Sequence, residues 1–269
     1  MHIFQSTHHG GSAVARTDFL ASRFAAPRNL LLTPSGMRFL GDGLAEHGTT
    51  SSVANHRPET SAEISTDIGQ ALANFSQLPD LVAGGRGIRI VVSDLWVRYS
   101  LVEVNAAASL DESELLALAR GQLSRDHPDT IAWPFRCALH GETLQAAACP
   151  PALIDGLQMQ SDKYGVRLES IVPLFAYLWD QTQRGRRNPD GWLLLEEPGL
   201  VMVAVVRAGC ISAQHAARQN DPVAATAMRL LERQSALLGI APGDVSLFSA
   251  ADRPIVLSPP WRVVNTIRF

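Results

Sequence analysis

Apolar residues along the chain follow two patterns, one helical and one of short continuous or alternating runs, in segments separated by polar turns. Ile64, Ile68, Leu72 and Phe75 recur at spacings of four, four and three residues. This spacing places their side chains on one face of an α-helix over residues 61–78, which a proline ends. Helices are also predicted at residues 110–123, 152–164, 174–182 and 221–238.

β-Branched runs and alternating segments predict the strands. The strongest is at residues 88–92, Ile-Arg-Ile-Val-Val, which is typical of a buried central strand. The polar turn Ser93–Asp94 follows, and a second strand at 96–104 is expected to pair with the first as a hairpin. Further strands are predicted at 30–40 (a two-strand hairpin), 130–139, 142–149, 166–172, 192–195, 200–207, 210–213, 245–249 and 254–257.

The order of these elements predicts the fold class. Hairpins and helices follow one another in a pattern repeated roughly twice, which indicates an α/β fold with mixed sheets. A doubly wound sheet or a (β/α)₈ barrel would alternate strands and helices one for one, so neither is expected. The 269 residues suffice for one large or two small domains. We expect an N-terminal arm at 1–28, a first lobe at 29–150 and a second lobe at 151–269.

Composition and charge narrow the range of partners. A net charge of −3 and a pI of 6.2 provide no basic surface, so nucleic acid is not expected to bind. No window approaches the roughly 18 apolar residues of a membrane span, and the N-terminus lacks a signal-peptide pattern. The chain is therefore expected in the cytoplasm, without direct membrane insertion. Three widely spaced cysteines predict buried free thiols rather than disulfides or a zinc site.

Residues with catalytic or metal-binding chemistry are sparse. The chain has no Walker loop, nucleophile elbow, zinc-protease motif or dinucleotide fingerprint. Ser93–Asp94 follows the strongest strand, where α/β proteins collect ligands, although both residue types also form turns. Asp126–Asp129 either holds an acid–base pair or simply connects a helix to a strand. His8 and His9 are adjacent and cannot easily chelate one ion, so no metal site is expected.

Three segments resemble a known family. The hairpin at 30–40, Leu-Leu-Leu-Thr-Pro-Ser-Gly-Met-Arg-Phe-Leu, resembles the opening hairpin of an actin-type nucleotide-binding fold. Residues 152–174, beginning Ala-Leu-Ile-Asp-Gly-Leu-Gln-Met-Gln, resemble a helix, turn and strand of PilM- and GspL-like proteins, and the hairpin at 192–207 resembles their second phosphate-side hairpin. Those proteins are actin-like cytoplasmic components of type IV pilus and type II secretion assemblies. The resemblance extends from residue 30 to residue 257 and implies an actin-like, RNase H-like fold of two lobes.

The resemblance also implies where a nucleotide would bind, and this chain departs from ATP-binding members there. Its first turn offers Thr33, Ser35 and Gly36, where such ATPases carry an acidic residue. Its second turn offers Glu196 and Gly199. The adjacent carboxylates of Glu196 and Glu197 would repel a triphosphate, and Pro198, which precedes Gly199, has no N–H donor. A degenerate nucleotide site is therefore expected, with neither ATP nor Mg²⁺ as a cofactor.

The family implies a scaffold that docks a short peptide from a membrane-anchored partner. With the altered turns, this chain is expected to be a non-catalytic one, a pseudo-ATPase that binds the cytoplasmic tail of an inner-membrane pilus or secretion protein. Such a scaffold would be cytoplasmic and peripheral to the inner membrane through its partner. The alternatives are a nucleotide-dependent phosphotransferase or ATPase on the same fold, and an unrelated α+β domain without a recognisable site. The sequence leaves open whether the chain forms a homodimer.

The candidate partner-binding residues lie near the two ends of the chain. Phe19 and Phe24 share one side of a short predicted helix in the arm, and Trp261 and Phe269 lie in an apolar, strand-like tail at 258–269. This tail either adds a last strand to its own sheet or pairs with the sheet edge of a partner.

Overall fold

The computed structural model describes residues 4–5, 28–34, 36–40, 45–46, 61–75, 87–104, 110–183, 190–219, 221–251 and 255–269. The strands are β1 (Phe4–Gln5), β2 (Arg28–Thr33), β3 (Gly36–Leu40), β4 (Ala45–Glu46), β5 (Ile88–Val92), β6 (Arg98–Glu103), β7 (Phe135–His140), β8 (Thr143–Ala148), β9 (Leu168–Pro173), β10 (Gly191–Glu197), β11 (Leu200–Arg207), β12 (Cys210–Arg218), β13 (Asp244–Ser249) and β14 (Arg262–Arg268). The helices are α1 (Ser61–Asn74), α2 (Glu112–Asp126), α3 (Pro151–Lys163), α4 (Leu174–Gln183) and α5 (Val223–Leu238).

The first sheet has six strands in the order β1-β9-β5-β2-β3-β4. Strands β2, β3 and β4 form an antiparallel meander, while β5 lies parallel beside β2 and β9 lies parallel beside β5. Strand β1 closes the other edge antiparallel to β9, so the first residues of the predicted arm contribute a short strand.

The second sheet repeats this arrangement with five strands in the order β12-β11-β10-β13-β14. Strands β10, β11 and β12 form the antiparallel meander, and β13 and β14 follow parallel to β10. A third sheet, β6-β8-β7, is wholly antiparallel and carries α2 against one side. The fold is therefore mixed α/β, as the sequence predicts.

Contacts divide the chain into two compact units. The first combines Met1–Ala54, Pro58–Trp96 and Cys149–Tyr177, and the second combines Asn55–Arg57, Val97–Ala148 and Leu178–Phe269. The predicted lobes at 29–150 and 151–269 follow chain order and stay a prediction.

Each unit has its own buried apolar residues. In the first unit the central strands β2 and β5 are buried, and α1 packs against α3. Ile68 and Phe75 of the predicted helical face are buried, and Leu72 is half-buried. In the second unit, Trp192, Leu194, Leu230 and Leu247 belong to a core between the sheet and α5.

The structure corrects two strand predictions. Strand β5 and the predicted strand at 96–104 do not form a hairpin, because β5 lies in the first sheet and β6 in the third. No strand forms at 254–257 among the residues described there. Ile255 and Leu257 instead bury their side chains in the core of the second unit. The tail at 262–268 adds a last strand, β14, to its own sheet.

The cysteines are free thiols, as predicted, but Cys149 is buried whereas Cys137 and Cys210 are half-buried. Burial, helped by the charge of Asp94, raises the pKa of the Cys149 thiol to about 12. Among the described helices, none combines the length and apolar composition needed to cross a membrane.

Candidate functional site

The first candidate turn joins β2 and β3. Thr33 pairs with Gly36 across it, and the Thr33 hydroxyl donates a hydrogen bond of 3.0 Å to the Gly36 carbonyl. Gly36 has a φ of 150°, a backbone conformation that favours glycine. Ser35 lies outside the described residues. The Thr33 side chain therefore closes its own turn, and neither Thr33 nor Gly36 provides the carboxylate that would hold Mg²⁺.

Ser93 and Asp94 lie beside this turn, at the carboxyl end of β5. The Ser93 amide donates to the Leu32 carbonyl at 2.9 Å, and both side chains are buried. The Asp94 carboxylate accepts a 2.7 Å hydrogen bond from the Phe175 amide in the first turn of α4. A carboxylate is favourable there because the first amides of a helix lack partners within the helix. Asp94 thus caps a helix that lies 81 residues away in sequence.

The second candidate turn joins β10 and β11 in the other unit. Glu197 pairs with Leu200 across it, and Gly199 has a φ of 82°. Glu196 and Glu197 are only 7% and 1% exposed. The Ser249 hydroxyl, at the end of β13, donates to the Glu196 carboxylate at 2.6 Å. The Glu196 carbonyl also accepts from the Ala250 amide at 3.1 Å.

Burial determines the electrostatics of Glu196. Desolvation raises the pKa of its carboxyl group above the ordinary value of 4.5, and the Ser249 hydrogen bond opposes that rise. A buried carboxylate that already accepts a hydrogen bond from a hydroxyl is poorly placed to hold a metal ion. Among the described residues, no group of three histidine, cysteine or acidic side chains could bind a metal.

The alternative acid–base candidate at 126–129 makes contacts with α2 and with the third sheet. His127 follows α2, and its Nε2 atom donates to the Tyr99 carbonyl at 3.0 Å. Burial lowers the pKa of His127, with the nearby Arg98 charge acting in the same direction. The buried Arg98 guanidinium lies 5.8 Å from the centre of the Trp133 ring. The hydrogen bond of His127 thus ties the end of α2 to β6 of the third sheet.

The candidate partner-binding residues fall in different surroundings. Phe19 and Phe24 lie outside the described residues. Trp261 is 3% exposed, and its ring packs edge-on against Trp192 with 5.0 Å between centroids. The Phe269 amide extends the β13–β14 pairing by donating to the Ser249 carbonyl at 3.4 Å.

The structure brings Thr33 and Gly36 together in one unit, and Glu196 and Gly199 together in the other. Sequence reasoning missed Ser249, because it contacts Glu196 across 53 residues. It also missed that Asp94 caps α4, for which the sequence signal is only the absence of a capping side chain in the residues before that helix.

Comparisons with known proteins identify the type of fold. No family profile and no curated protein matches this chain. A protein of unknown function with an actin-like ATPase fold, from Bacteroides thetaiotaomicron, is similar with a TM-score of 0.54 and 9% identity, covering 88% of this chain and 87% of that one. The cytoplasmic domain of EpsL, an inner-membrane component of the type II secretion system of Vibrio cholerae, is similar with a TM-score of 0.51 and 10% identity, covering 90% and 89%.

A chain of the PilM–PilN type IV pilus biogenesis complex is similar with a TM-score of 0.51 and 15% identity, covering 82% of this chain and 80% of that one. At such identities the likeness shows the fold alone. The resemblance to actin-like pilus and secretion components is confirmed at that level. The chain has a mixed α/β, actin-like fold.

Proposed function

We propose that this protein is a non-catalytic, cytoplasmic scaffold of a bacterial pilus or secretion assembly, which binds the cytoplasmic tail of an inner-membrane partner. The observation that carries the proposal is an actin-like fold in which one described polar side chain of each candidate phosphate turn is hydrogen-bonded within the protein. Thr33 bonds within its own turn, and Glu196 is buried against Ser249.

The chemistry of the turns argues against nucleotide binding. Phosphate is held by free backbone amides and Mg²⁺ by accessible carboxylates. The described part of the first turn has no acidic side chain. In the second, Glu196 and Glu197 are buried and Pro198 has no amide hydrogen. These residues do not fit Mg·ATP, so the ATPase or phosphotransferase alternative has little support from them.

The proposed partner follows from what the similar proteins are. PilM occurs in a complex with PilN, and EpsL is an inner-membrane component of its secretion system. By analogy, this chain would be held at the inner membrane through a partner's cytoplasmic tail. Phe19 and Phe24 of the arm stay the proposed contacts, with Phe269, because aromatic side chains dominate many interfaces. Trp261 would contribute only through its packing, since it is buried in the second unit.

The proposal is tested by affinity purification from native membranes solubilised in mild detergent. The full chain is used as bait beside a variant with Phe19→Ala and Phe24→Ala, which leaves β1 and β2 intact. We expect the full chain to recover an inner-membrane pilus or secretion protein, and the variant to recover several-fold less. Recovery of no such protein, together with phosphoryl transfer from ATP by the purified chain, would favour the enzyme instead.

A further inference from the structure

We infer that the outer edge of β14 binds an extended, β-branched segment of a partner protein that carries a carboxylate opposite Arg268. This surface deepens the scaffold function proposed above, and it rests on that function for its biological partner. The partner segment would add a further strand to the second sheet.

The composition of β14 is unusual for an edge. Strand β14 is the last strand of its sheet, and no described strand lies beyond it. Its five central residues, Val-Val-Asn-Thr-Ile, carry no charge, proline or glycine, and Val264 is 52% exposed. Proteins commonly protect such edges with charges, proline or a covering element, because an open β-branched edge pairs with other chains. Between its two terminal arginines, β14 has neither a charge nor proline, so its backbone can pair with a further strand there.

The backbone groups available to a new strand follow from the register. Ile267 lies opposite Phe248, Arg268 lies opposite Ser249, and the Phe269 amide donates to the Ser249 carbonyl. Because backbone groups alternate in direction along a strand, the N–H and C=O groups of Thr266 and Arg268 point away from β13. Val264 has no partner on β13, so a bulge interrupts the edge there. A partner strand would therefore pair with the stretch after the bulge.

The first unit supplies an internal precedent. Strand β9 holds the same place in the first sheet as β14 holds in the second, since each is the second strand beyond the meander. Strand β9 is covered by β1, which pairs antiparallel with it at Phe4–Ile171 and Gln5–Ser170. The corresponding edge of the second sheet has no such cover in the described chain. An added strand would complete the same pattern.

The charges at the two ends of β14 indicate which kind of partner strand fits this edge. Arg262, at the start of β14, is already paired with Asp244 through bonds of 2.9 and 3.0 Å. Arg268, at the other end, is exposed and lies opposite the uncharged Ser249. A second copy of this chain, pairing antiparallel through Thr266 and Arg268, would bring two Arg268 side chains diagonally across the junction, about 7–8 Å apart. That repulsion disfavours self-association, whereas a partner's glutamate or aspartate would pair with Arg268.

The test uses the full chain and two labelled peptides in fluorescence anisotropy. The acidic peptide is Thr-Val-Thr-Val-Glu-Val, and the matched peptide has lysine in place of glutamate. We expect the acidic peptide to bind more tightly. Arg268→Glu should reverse the preference, with a change of at least about tenfold in the ratio of the two dissociation constants, because like charges then face each other.

A proline substitution tests the backbone pairing. Thr266→Pro removes an outward N–H group without breaking a bond to β13, and proline is tolerated at such edge positions. We expect this variant to lose peptide binding while it melts like the control Thr266→Ala, which keeps the N–H group. Amide exchange measured by NMR should show that the peptide slows exchange at Thr266 and Arg268.

Three results would overturn the inference. They are no binding of the acidic peptide at millimolar concentration, equal binding by Thr266→Pro and Thr266→Ala, or an unchanged preference in Arg268→Glu. A dimer seen by light scattering and lost in Thr266→Pro would assign the edge to a second copy instead. If Thr266→Pro still recovers the inner-membrane partner while peptide binding fails, the edge is wrong and the scaffold function stands.

Discussion

Two buried carboxylates show how polar residues of this chain serve its architecture. Asp94 holds the first turn of α4, and Glu196 joins the end of β10 to the end of β13 through Ser249. Both residues follow or end a strand, where ligand-binding side chains also gather. Sequence position alone does not distinguish these uses, because the group that each carboxylate contacts is distant in the chain.

Replacement of Asp94 should reveal its capping role. In Asp94→Ala the Phe175 amide loses its acceptor in a buried setting, so we expect the free energy of unfolding to fall by about 1–3 kcal/mol. Asp94→Asn keeps an oxygen acceptor and should lose less. Urea unfolding of the three proteins at pH 7 measures the difference. Equal stability of Asp94→Ala and the unchanged protein would show that the cap is dispensable.

Glu196 should make stability depend on pH. Since burial raises its pKa in the folded state, the folded protein binds the proton more readily than the unfolded chain above pH 4.5. The contribution of Glu196 to the free energy of unfolding therefore falls as the pH rises through the window just above 4.5. Glu196→Gln keeps an acceptor for Ser249 but cannot titrate, so the difference between the two proteins should grow in favour of the variant from pH 4.5 to pH 7. Parallel urea titrations across this range measure it, and a constant difference would contradict it.

The sequence predicted the positions of the candidate turns well, but not the state of their side chains. Gly36 and Gly199 occupy turn positions with a positive φ. A glycine in a turn is a local signal that can be recognised in the sequence. Glu196 bonds to Ser249 of β13, a strand that enters the sheet only after α5. Partners that distant leave no local signal.

At the scale of elements, helix packing depends on single small residues. Gly156 lies in α3, where an added Cβ would collide with the side chain of Leu72 in α1. Gly121 lies in α2, where an added Cβ would meet nothing within 4 Å. Packing therefore favours glycine at position 156 in α3, whereas nothing in the packing requires glycine at position 121 in α2.

Replacing each of these two glycines with alanine should separate the effect of helix propensity on stability from the effect of side-chain packing. Gly121→Ala should stabilise the protein by about 0.5–1 kcal/mol, because alanine loses less backbone entropy in a helix than glycine does. Gly156→Ala gains the same propensity but must displace Leu72, so we expect a net loss of up to about 2 kcal/mol. Thermal melts of the two variants give the comparison. A gain in both would mean that Leu72 moves aside freely.

Elements with a strong local pattern were predictable, and their pairing was not. The periodic helices and the run at 88–92 were found because their apolar residues repeat within a few positions. The hairpin expected between β5 and the next strand was wrong because Ser93–Asp94 and Leu95–Trp96 lead the chain out of the first sheet. The prediction assumed that neighbouring strands pair, which holds for most but not all consecutive strands.

At the scale of the whole molecule, both main sheets share one strand order, a meander of three strands followed by two parallel strands. The sequence indicated this repetition through its succession of hairpins and helices. The predicted α/β fold of actin-like type is confirmed by the structures similar to it. That the two candidate turns form a degenerate nucleotide site stays a proposal.

The whole protein should be indifferent to nucleotide. We expect no change in the melting temperature with millimolar Mg·ATP or Mg·ADP, because the described turn residues offer no accessible carboxylate for the metal. A ligand at 100 times its dissociation constant would add about 2.7 kcal/mol of stability, which is easily measured. A shift of several degrees that disappears in Thr33→Val would contradict the degenerate site.

The third sheet has a consequence for how such a chain changes over evolutionary time. Arg98, at its entry, lies directly opposite Ala148, at its exit. Antiparallel partners lie about 4.5–5.5 Å apart, so residues 98–148 form a cassette whose two ends a single glycine or serine could bridge. Insertion or excision of this cassette would leave the path from β5 to α3 almost unaltered. Excision would, however, remove the contacts that β6 and β8 make with β12, among them the hydrogen bond from Gln145 to Gln214, so the surface it would newly expose is that of β12.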